Sequence, residues 1–251
     1  MTVAGPRYPD AEAAALYDVL NPWQASDDFH AALARDEPSV LDVGCGTGTL
    51  LKGVRAAGHP GRLVGVDPDP AALAIARACP DVEWRQGTAA TLPSTAGFAL
   101  ATMAGHAFQC LVSDGELRAS LAGVRRALRP GGRFAFETRN PALRPWEQWA
   151  AAPPRDVVDP AGRRLQVSHQ VLSVAGDRVT FTETTSDADR GQLRVDRTTL
   201  RFLSAGALTS LLIGAGFTVE AQYGGFRGEP LEAVSPEIVT VARAGPAGGA
   251  A

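Results

Sequence analysis

Three glycines at alternate positions follow a short apolar segment in the first part of the chain. Gly44, Gly46 and Gly48 come directly after residues 40–43, and Thr49 follows them. Glycine at such positions lets the backbone turn sharply into a helix and approach a bound molecule closely, so that helical N–H groups face it. A dinucleotide fold would need a glycine at position 49, where this chain has threonine. The spacing therefore predicts a ligand-binding loop and disfavours a nicotinamide oxidoreductase.

An aspartate ends the next apolar segment. Asp67 follows residues 63–66 and lies about twenty residues beyond the last glycine, where a carboxylate reaches a ribose over the tip of a second strand. One carboxylate can accept hydrogen bonds from both ribose hydroxyls. The alternative role, capping the next helix, suits Asp69 better, because Asp69 directly precedes Pro70. We therefore expect Asp67 to bind a ribose.

Strand and helix patterns alternate around these residues. The predicted strands are 39–43, 62–67, 82–85, 98–103 and 133–138, and the predicted helices are 8–21, 49–57, 71–79 and 114–128. Asp114 is the predicted N-cap of the last helix. This alternation predicts an α/β fold with a doubly wound, mostly parallel sheet that is covered by helices on both faces.

The pattern changes after the fifth predicted strand. Residues 157–203 alternate between polar and apolar side chains and carry turn signals at 159–162 and 175–177. This predicts an antiparallel β insertion of three or more strands, with one wet and one packed face. Residues 204–214 return to a helical pattern capped by Ser204. Strands at 217–223 and 237–241 would then complete the main sheet.

Four blocks of the sequence carry a resemblance to a known family. They are Asp42-Val43-Gly44-Cys45-Gly46-Thr47-Gly48, Leu16-Tyr17-Asp18 with Asn21-Pro22-Trp23, Gly105-His106-Ala107-Phe108-Gln109, and Phe136-Glu137-Thr138-Arg139-Asn140-Pro141. The first block, with Asp67, resembles the cofactor loop of class I S-adenosylmethionine-dependent methyltransferases, which have a Rossmann-like fold. The other blocks resemble actinobacterial small-molecule N-methyltransferases, such as those that methylate the ring nitrogen of an alkylproline unit in lincosamide antibiotics.

The resemblance implies an activity and a cofactor. The cofactor would be S-adenosyl-L-methionine and the product S-adenosyl-L-homocysteine. The methyl group would pass by in-line displacement to the nitrogen of a small-molecule natural-product precursor, as in antibiotic biosynthesis. A small-molecule O-methyltransferase and a noncatalytic S-adenosylmethionine-binding module are the alternatives.

The resemblance also assigns site residues. The implied cofactor-binding residues are Tyr17, Asp42, Gly44, Cys45, Gly46, Asp67, Pro68, Gly87, Thr88, Ala89, Met103 and His106. The implied catalytic residues are Tyr8, Tyr17 and Phe108, and the position of His106 just after the fourth predicted strand makes it a further catalytic candidate. Position 88 often carries an acid in the family, so we expect the Ala89 N–H and the Thr88 hydroxyl to contact the adenine instead. The alternative for Phe108 is packing in the core, and the alternative for His106 is a structural role.

Aromatic residues are frequent near the N-terminus and after the fifth predicted strand. Tyr8, Tyr17, Trp23 and Phe29 lie within one short segment, which the resemblance implies is a lid over the cofactor. Aromatic faces attract a sulfonium by cation–π interaction, although helix packing is the preferred interpretation for Trp23. In the loop 144–149, Trp146 and Trp149 either wall the pocket or pack the insertion down. Glu137 and Arg139 are weaker candidates for substrate contact, and we interpret His169 as structural.

These expectations give a division of the chain. It comprises a helical lid (1–37), a cofactor-binding α/β core (38–156), an antiparallel insertion that caps the substrate (157–203), the end of the core (204–243) and a flexible tail (244–251).

Composition restricts the partners. The chain has 251 residues, of which 45% are hydrophobic and 20% charged, with a net charge of −3. No broad cationic field is therefore expected for a nucleic acid or an anionic membrane. Three cysteines without metal-ligand spacing indicate free thiols and no metal site. We expect a cytoplasmic enzyme that acts on a small molecule, with homo-oligomerisation left open.

Overall fold

The computed structural model describes residues 8–92 and 97–246. The helices are α1 (Asp10–Leu20), α2 (Ala25–Ala34), α3 (Thr49–Ala56), α4 (Pro70–Ala76), α5 (Asp114–Ala127), α6 (Pro145–Ala151) and α7 (Ala205–Gly214). The strands are β1 (Ser39–Val43), β2 (Arg62–Asp67), β3 (Glu83–Gln86), β4 (Phe98–Met103), β5 (Leu128–Arg139), β6 (Arg155–Val158), β7 (Arg164–Ala175), β8 (Arg178–Asp187), β9 (Gly191–Arg201), β10 (Phe217–Tyr223) and β11 (Glu237–Ala244). No helix in these described ranges is long and apolar enough to cross a membrane.

Seven strands form the main sheet, in the order β10-β11-β5-β4-β1-β2-β3. The five strands from β5 to β3 are parallel, and β11 runs antiparallel to both of its neighbours. The order reverses direction next to β1, and in a doubly wound sheet this point opens a crevice at the carboxyl ends of the strands. The prediction of a doubly wound, mostly parallel α/β sheet is confirmed.

Local signals in the sequence begin several helices. Asp69 accepts the Ala71 N–H at 2.8 Å and caps α4, and Ser204 caps α7 as predicted. The predicted cap of α5 was wrong by one residue. Ser113 accepts the Glu116 N–H through its hydroxyl, and the Glu116 carboxylate in turn accepts the Ser113 N–H, which forms a capping box.

The four strands β6-β7-β8-β9 form a second, wholly antiparallel sheet, as predicted. It starts at Arg155, two residues before the predicted insertion, because residues 155–158 already pair with β7. One part of this sheet packs against α1 and Tyr8, and another packs against α6. Trp146 and Trp149 belong to α6, so they lie on a helix and not in the predicted loop. Both rings contact Phe202.

Two further features differ from the sequence prediction. The helix α2 lies within the predicted helical lid but was not predicted as a separate helix, because its apolar spacing is short and irregular. Strand β11 continues to Ala244, which pairs with Phe217 and is buried, so the predicted tail cannot begin at that residue. Residues 247–251 of that predicted tail lie outside the described residues.

Candidate active site

The glycine loop turns at the carboxyl end of β1, where Asp67 holds it. Gly44, Gly46 and Gly48 have φ angles of +75°, +54° and +83°. The Asp67 carboxylate accepts the Gly46 N–H at 2.7 Å through Oδ2 and the Asp69 N–H at 2.8 Å through Oδ1. Each oxygen retains capacity for one more donor. Burial raises the pKa of Asp67, and the two backbone donors oppose that rise.

Trp84 supports the loop from the side of β3. A Cβ on either Gly48 or Gly65 would lie 2.4 Å from the Trp84 ring, so both positions must be glycine for this packing. The ring is fixed by a hydrogen bond from Nε1 to the Cys79 carbonyl at 2.9 Å. Cys45 packs in the same cluster, and burial raises the pKa of its thiol. The thiol therefore stays protonated and serves as a packing group.

Asp42 is a buried carboxylate within β1. Its Oδ1 accepts the Thr102 hydroxyl at 2.7 Å, and only 2% of the residue is exposed. Burial raises the pKa of Asp42 to about 6, although the bond from Thr102 acts in the opposite direction. A cationic ligand group near Asp42 would favour its ionised form.

The loop after β3 lies against both Asp67 and α5. The Gly87 N–H donates to the Asp67 carbonyl at 3.0 Å, and Thr88 is exposed beside it. Ala89 is buried, and its carbonyl oxygen would lie only 1.9 Å from a Cβ at Gly123. A glycine in α5 is therefore required for this loop to reach its place.

Helix α1 contacts the glycine loop and places Tyr17 at the cleft. The Thr47 hydroxyl donates to the Asp18 carboxylate, which ties the helix to the loop. The Tyr17 hydroxyl lies 3.9 Å from the Cβ position of Gly105, just beyond β4. Loss of water around that hydroxyl, followed by the nearby Cys110 thiol, raises the pKa of Tyr17. Tyr17 is therefore available as a neutral hydrogen-bonding group with an exposed ring.

The other aromatic residues of the predicted lid face elsewhere. Tyr8 is fully buried against the second sheet, and its hydroxyl donates to Asp159 at 3.2 Å. The catalytic role predicted for Tyr8 is contradicted by this arrangement, because its hydroxyl is already used and its ring is enclosed. Trp23 packs against Gly53 of α3, and Phe29 packs near Tyr223. Of these aromatic residues, Tyr17 is the one that the structure places at the cleft.

Two predicted site residues, one at the end of β4 and one beyond it, have side chains in the core. Phe108 is 2% exposed and stacks on Phe136, with ring centroids 4.1 Å apart. It therefore packs beneath the site. The prediction that its ring contacts the reacting groups was wrong, and the alternative of core packing is correct. The Met103 side chain is buried in the same cluster. Pro68, in contrast, is exposed beside the second strand.

His106 lies at the mouth of the cleft in a left-handed conformation, with φ of 63°. Its Nε2 is 3.0 Å from Oε2 of Glu237, the first residue of β11. Both side chains remain partly accessible, at 19% and 17%. A carboxylate bonded to one ring nitrogen orients the imidazole and leaves the other nitrogen for a ligand.

Glu137 joins three segments beneath His106. It accepts the His106 N–H at 3.2 Å and the Ser26 hydroxyl at 2.8 Å through Oε1, and Oε2 lies 2.7 Å from His30 Nε2. Burial alone would raise the pKa of Glu137, but the charge and hydrogen bond of His30, the charge of His106 and the hydrogen bond from Ser26 together lower that pKa to about 2. The carboxylate therefore fixes the left-handed turn at His106 and joins it to α2.

Arg139 is the last residue of β5, the strand that also carries Glu137. Its Nη1 donates to Gln109 Oε1 at 3.1 Å, and its guanidinium lies 5.2 Å from the centre of the Trp149 ring. The Tyr17 hydroxyl and the Glu237 carboxylate interact with this guanidinium electrostatically. The structure thus brings together Tyr17, His106 and Arg139 around one opening.

The residues fit a nucleoside that carries a cationic tail. The Asp67 oxygens can each accept one ribose hydroxyl, and a Cβ at Gly46 would meet no atom within 4 Å, so the loop is open on that side. The buried Asp42 carboxylate supplies negative charge close to the loop, and the Tyr17 ring is exposed to the cleft. This donor set suits the adenosyl, amino and sulfonium groups of S-adenosylmethionine.

Sequence reasoning missed the residues that hold the site residues in place. Ser26, His30, Gln109 and Glu237 make their contacts across long separations in the chain. No local spacing marks such contacts. The one available signal was that Gln109 and Glu137 belong to the blocks that carried the resemblance.

The family model for a methyltransferase domain matches residues 40–132. The chain is similar to the cypemycin N-terminal methyltransferase of a Streptomyces species, with 30% identity over 210 residues that cover 82% of this chain and 83% of that protein.

Solved structures show the same fold. The CcbJ methyltransferase from Streptomyces caelestis aligns with a TM-score of 0.73 at 21% identity, covering 95% of this chain and 100% of that one. The S-adenosylmethionine-bound CalS10, an amino pentose methyltransferase from Micromonospora echinaspora, aligns with a TM-score of 0.69 at 22% identity, covering 92% of this chain and 95% of that one.

Proposed function

The chain belongs to the class I S-adenosylmethionine-dependent methyltransferases, and on this premise we propose that it methylates the nitrogen of a small-molecule amine in natural-product biosynthesis. Two relatives support the choice of nitrogen by their names, since one is an N-terminal methyltransferase and another acts on an amino pentose. The observation that carries the proposal is the pair formed by His106 and Glu237 at the mouth of the cleft.

Bound S-adenosylmethionine supplies an electrophilic methyl group on a sulfonium. Asp67 and the glycine loop would hold its ribose, and Asp42 would face its cationic amino group. Tyr17 and α1 cover the cleft and exclude water around the reacting atoms. Because the Thr47 hydroxyl ties α1 to the glycine loop through Asp18, Tyr17 on α1 would be held in a fixed position relative to the bound cofactor.

An amine reacts only through its neutral form, so a proton must leave the acceptor. His106 can take that proton on Nδ1 while Nε2–H donates to Glu237, which stabilises the resulting imidazolium. Because its pKa is raised, Tyr17 keeps its proton at neutral pH and offers no phenolate to take the acceptor's proton, so it serves to orient the acceptor nitrogen. These roles assign the proton to His106 and the alignment to Tyr17.

The test is turnover with S-adenosylmethionine and a panel of amino acids, short peptides, amino sugars and hydroxylated analogues, read as a mass gain of one CH₂ group. The proposal predicts that amines gain the group and that their hydroxyl analogues do not. Transfer to the hydroxyl compounds alone would favour an O-methyltransferase. Tight binding of S-adenosylhomocysteine without any turnover would favour a binding module.

The variant His106→Ala distinguishes further between a nitrogen acceptor and an oxygen acceptor. For an amine, kcat/KM falls at neutral pH and recovers as the pH rises above the pKa of the acceptor, because bulk solvent then removes the proton. For a hydroxyl, a loss of more than about 100-fold would persist at every pH. His169→Ala is the matched control, because His169 makes the same 3.0 Å contact to Glu183 in the second sheet.

A further inference from the structure

Arg139 is a half-buried cation at the cleft whose guanidinium has no carboxylate partner among the described residues. Its side-chain contacts are the Gln109 amide oxygen and the Trp149 ring. Burial lowers the pKa of Arg139, and the more distant Glu237 and Glu137 carboxylates only partly oppose this effect. A partly buried guanidinium without a carboxylate in hydrogen-bond contact has N–H groups that a ligand anion can pair with.

Several other partly buried arginines of the described chain have two or more acceptors. Arg55 and Arg125 each donate to three backbone carbonyls. Three more form ion pairs with two carboxylates each and join the insertion to other elements: Arg163 with Glu12 and Asp159, Arg194 with Asp10 and Asp196, and Arg201 with Asp114 and Asp177. The Arg139 guanidinium differs from these five, because its one hydrogen-bond acceptor in the part of the chain that the structure describes is a neutral amide oxygen.

The guanidinium is also held in one orientation. Gln109 is fully buried, and its Oε1 accepts both the Arg139 N–H at 3.3 Å and Nη1 at 3.1 Å. Its Nε2 donates to the Arg201 carbonyl at 3.1 Å, which fixes the amide from the other side. Trp149 covers the guanidinium at 5.2 Å. A guanidinium fixed in this way presents its remaining N–H groups as a preformed fork for two oxygens.

The charges around Arg139 select the kind of anion. Glu237 is paired directly across the strands β5 and β11 from Arg139, and Glu137 lies two residues earlier on β5. Both carboxylates interact with the guanidinium at longer range. A phosphate with two negative charges would be repelled by these acids, whereas a carboxylate with one charge adds less repulsion. A carboxylate is therefore the better match.

The same pairing sets the size of the acceptor. Because Arg139 lies opposite Glu237, and Glu237 holds His106, the anion site and the proton acceptor are neighbours across one strand pair. Opposite residues of an antiparallel pair have Cα atoms about 5 Å apart. One small molecule with an amine and a carboxylate can reach both groups.

We propose that Arg139, oriented by Gln109 and Trp149, binds a carboxylate of the methyl acceptor, so that the acceptor is an amino acid or a short peptide-like amine. This proposal rests on the proposed function, because it names the acceptor class of the same site. Gln109 is a positioning residue in this arrangement, and Arg139 is the group that contacts the acceptor.

The experiment measures binding without turnover. The protein saturated with S-adenosylhomocysteine is titrated by calorimetry with L-proline and L-prolinamide, and with alanylglycine and alanylglycinamide. We expect at least one carboxylate to bind about tenfold or more tightly than its amide, since charge-assisted bonds are lost in the amide. The variant Arg139→Gln removes this preference and leaves the affinities for the amides and for S-adenosylhomocysteine unchanged.

The control Arg126→Gln removes the same charge from an exposed position on α5 and is expected to keep the preference. Equal affinity for acids and amides in the wild type, or a preference that survives in Arg139→Gln, overturns the proposal. Turnover with the same probes is scored separately. A carboxylate preference without methylation would contradict the proposed N-methylation of these acceptors alone, whereas methylation of amides and acids at equal rates would contradict the role of Arg139 alone.

Discussion

Replacing Asp67 by alanine is expected to weaken binding of S-adenosylhomocysteine by about 100-fold. Each Asp67 oxygen already accepts one backbone N–H, from Gly46 and Asp69, so each can accept one further bond from a ribose hydroxyl. A charge-assisted hydrogen bond contributes roughly 1.5–3 kcal/mol, and two bonds at the lower limit give about 3 kcal/mol. Since about 1.4 kcal/mol is tenfold in affinity, the loss is about two orders of magnitude.

The substitution also removes the acceptor for the Gly46 N–H, so a looser loop must be distinguished from lost ribose contacts. Titration calorimetry with adenosine and with 2′,3′-dideoxyadenosine does this. The wild type should prefer adenosine, and Asp67→Ala should remove the preference. If the loop alone were disturbed, both ligands would weaken equally and the preference would remain, which refutes the ribose assignment.

Asp69 supplies the matched control, because Asp69→Ala removes a nearby exposed carboxylate that caps α4. It should lower the free energy of unfolding by about 1 kcal/mol and leave the preference for adenosine intact. The pH dependence gives a further check. Burial raises the pKa of Asp67, so affinity should fall as the pH drops through that raised value and the carboxylate becomes protonated.

Three further predictions concern stability, measured by urea unfolding. The pKa of Glu137 is lowered to about 2 in the folded protein, so its contribution to the free energy of unfolding is present above the unfolded pKa of about 4.3 and is lost as the pH falls towards about 2. The variant Glu137→Gln should therefore show a smaller loss of stability over this pH range. The pKa of Asp42 is raised to about 6, so the wild type should lose stability as the pH rises from the unfolded pKa of about 3.9 to about 6. If Asp42→Asn showed the same slope of the free energy of unfolding against pH, this prediction would be contradicted. Gly48→Ala should cost about 1–2 kcal/mol through its positive φ, with an added clash against Trp84 that Trp84→Ala relieves; additive effects in the double variant would rule out the clash.

The sequence predicted most of the main sheet because its signals are local. The bounds of β1, β4 and β10 agree with the predicted strands to the residue, and proline, glycine and aspartate mark the turns between them. The cap by Asp69 follows from its position next to Pro70. Such features depend on neighbouring residues, which a single sequence displays.

Roles that depend on tertiary contacts could not be predicted in the same way. Tyr8 and Phe108 are aromatic residues in plausible positions, but packing with Asp159 and Phe136 encloses them. The position of His106 depends on Glu137, whose partners lie far away in the chain. Residue type and spacing therefore predicted a site at the carboxyl ends of the strands, while the burial of each side chain decided which of the predicted residues remain accessible there.

The amide of Gln109 has a consequence for how enzymes of this kind diversify. One buried side chain bonds both the guanidinium of Arg139 and the backbone at the end of β9. The strands from 155 to 201 are consequently not an exchangeable module. A chimera that imports them from a relative with a different geometry at position 201 would rotate the guanidinium and alter acceptor choice, even with every cleft residue retained. New acceptor preferences would then arise through paired changes, one near Arg139 and one near Arg201, the two residues that the Gln109 amide bonds.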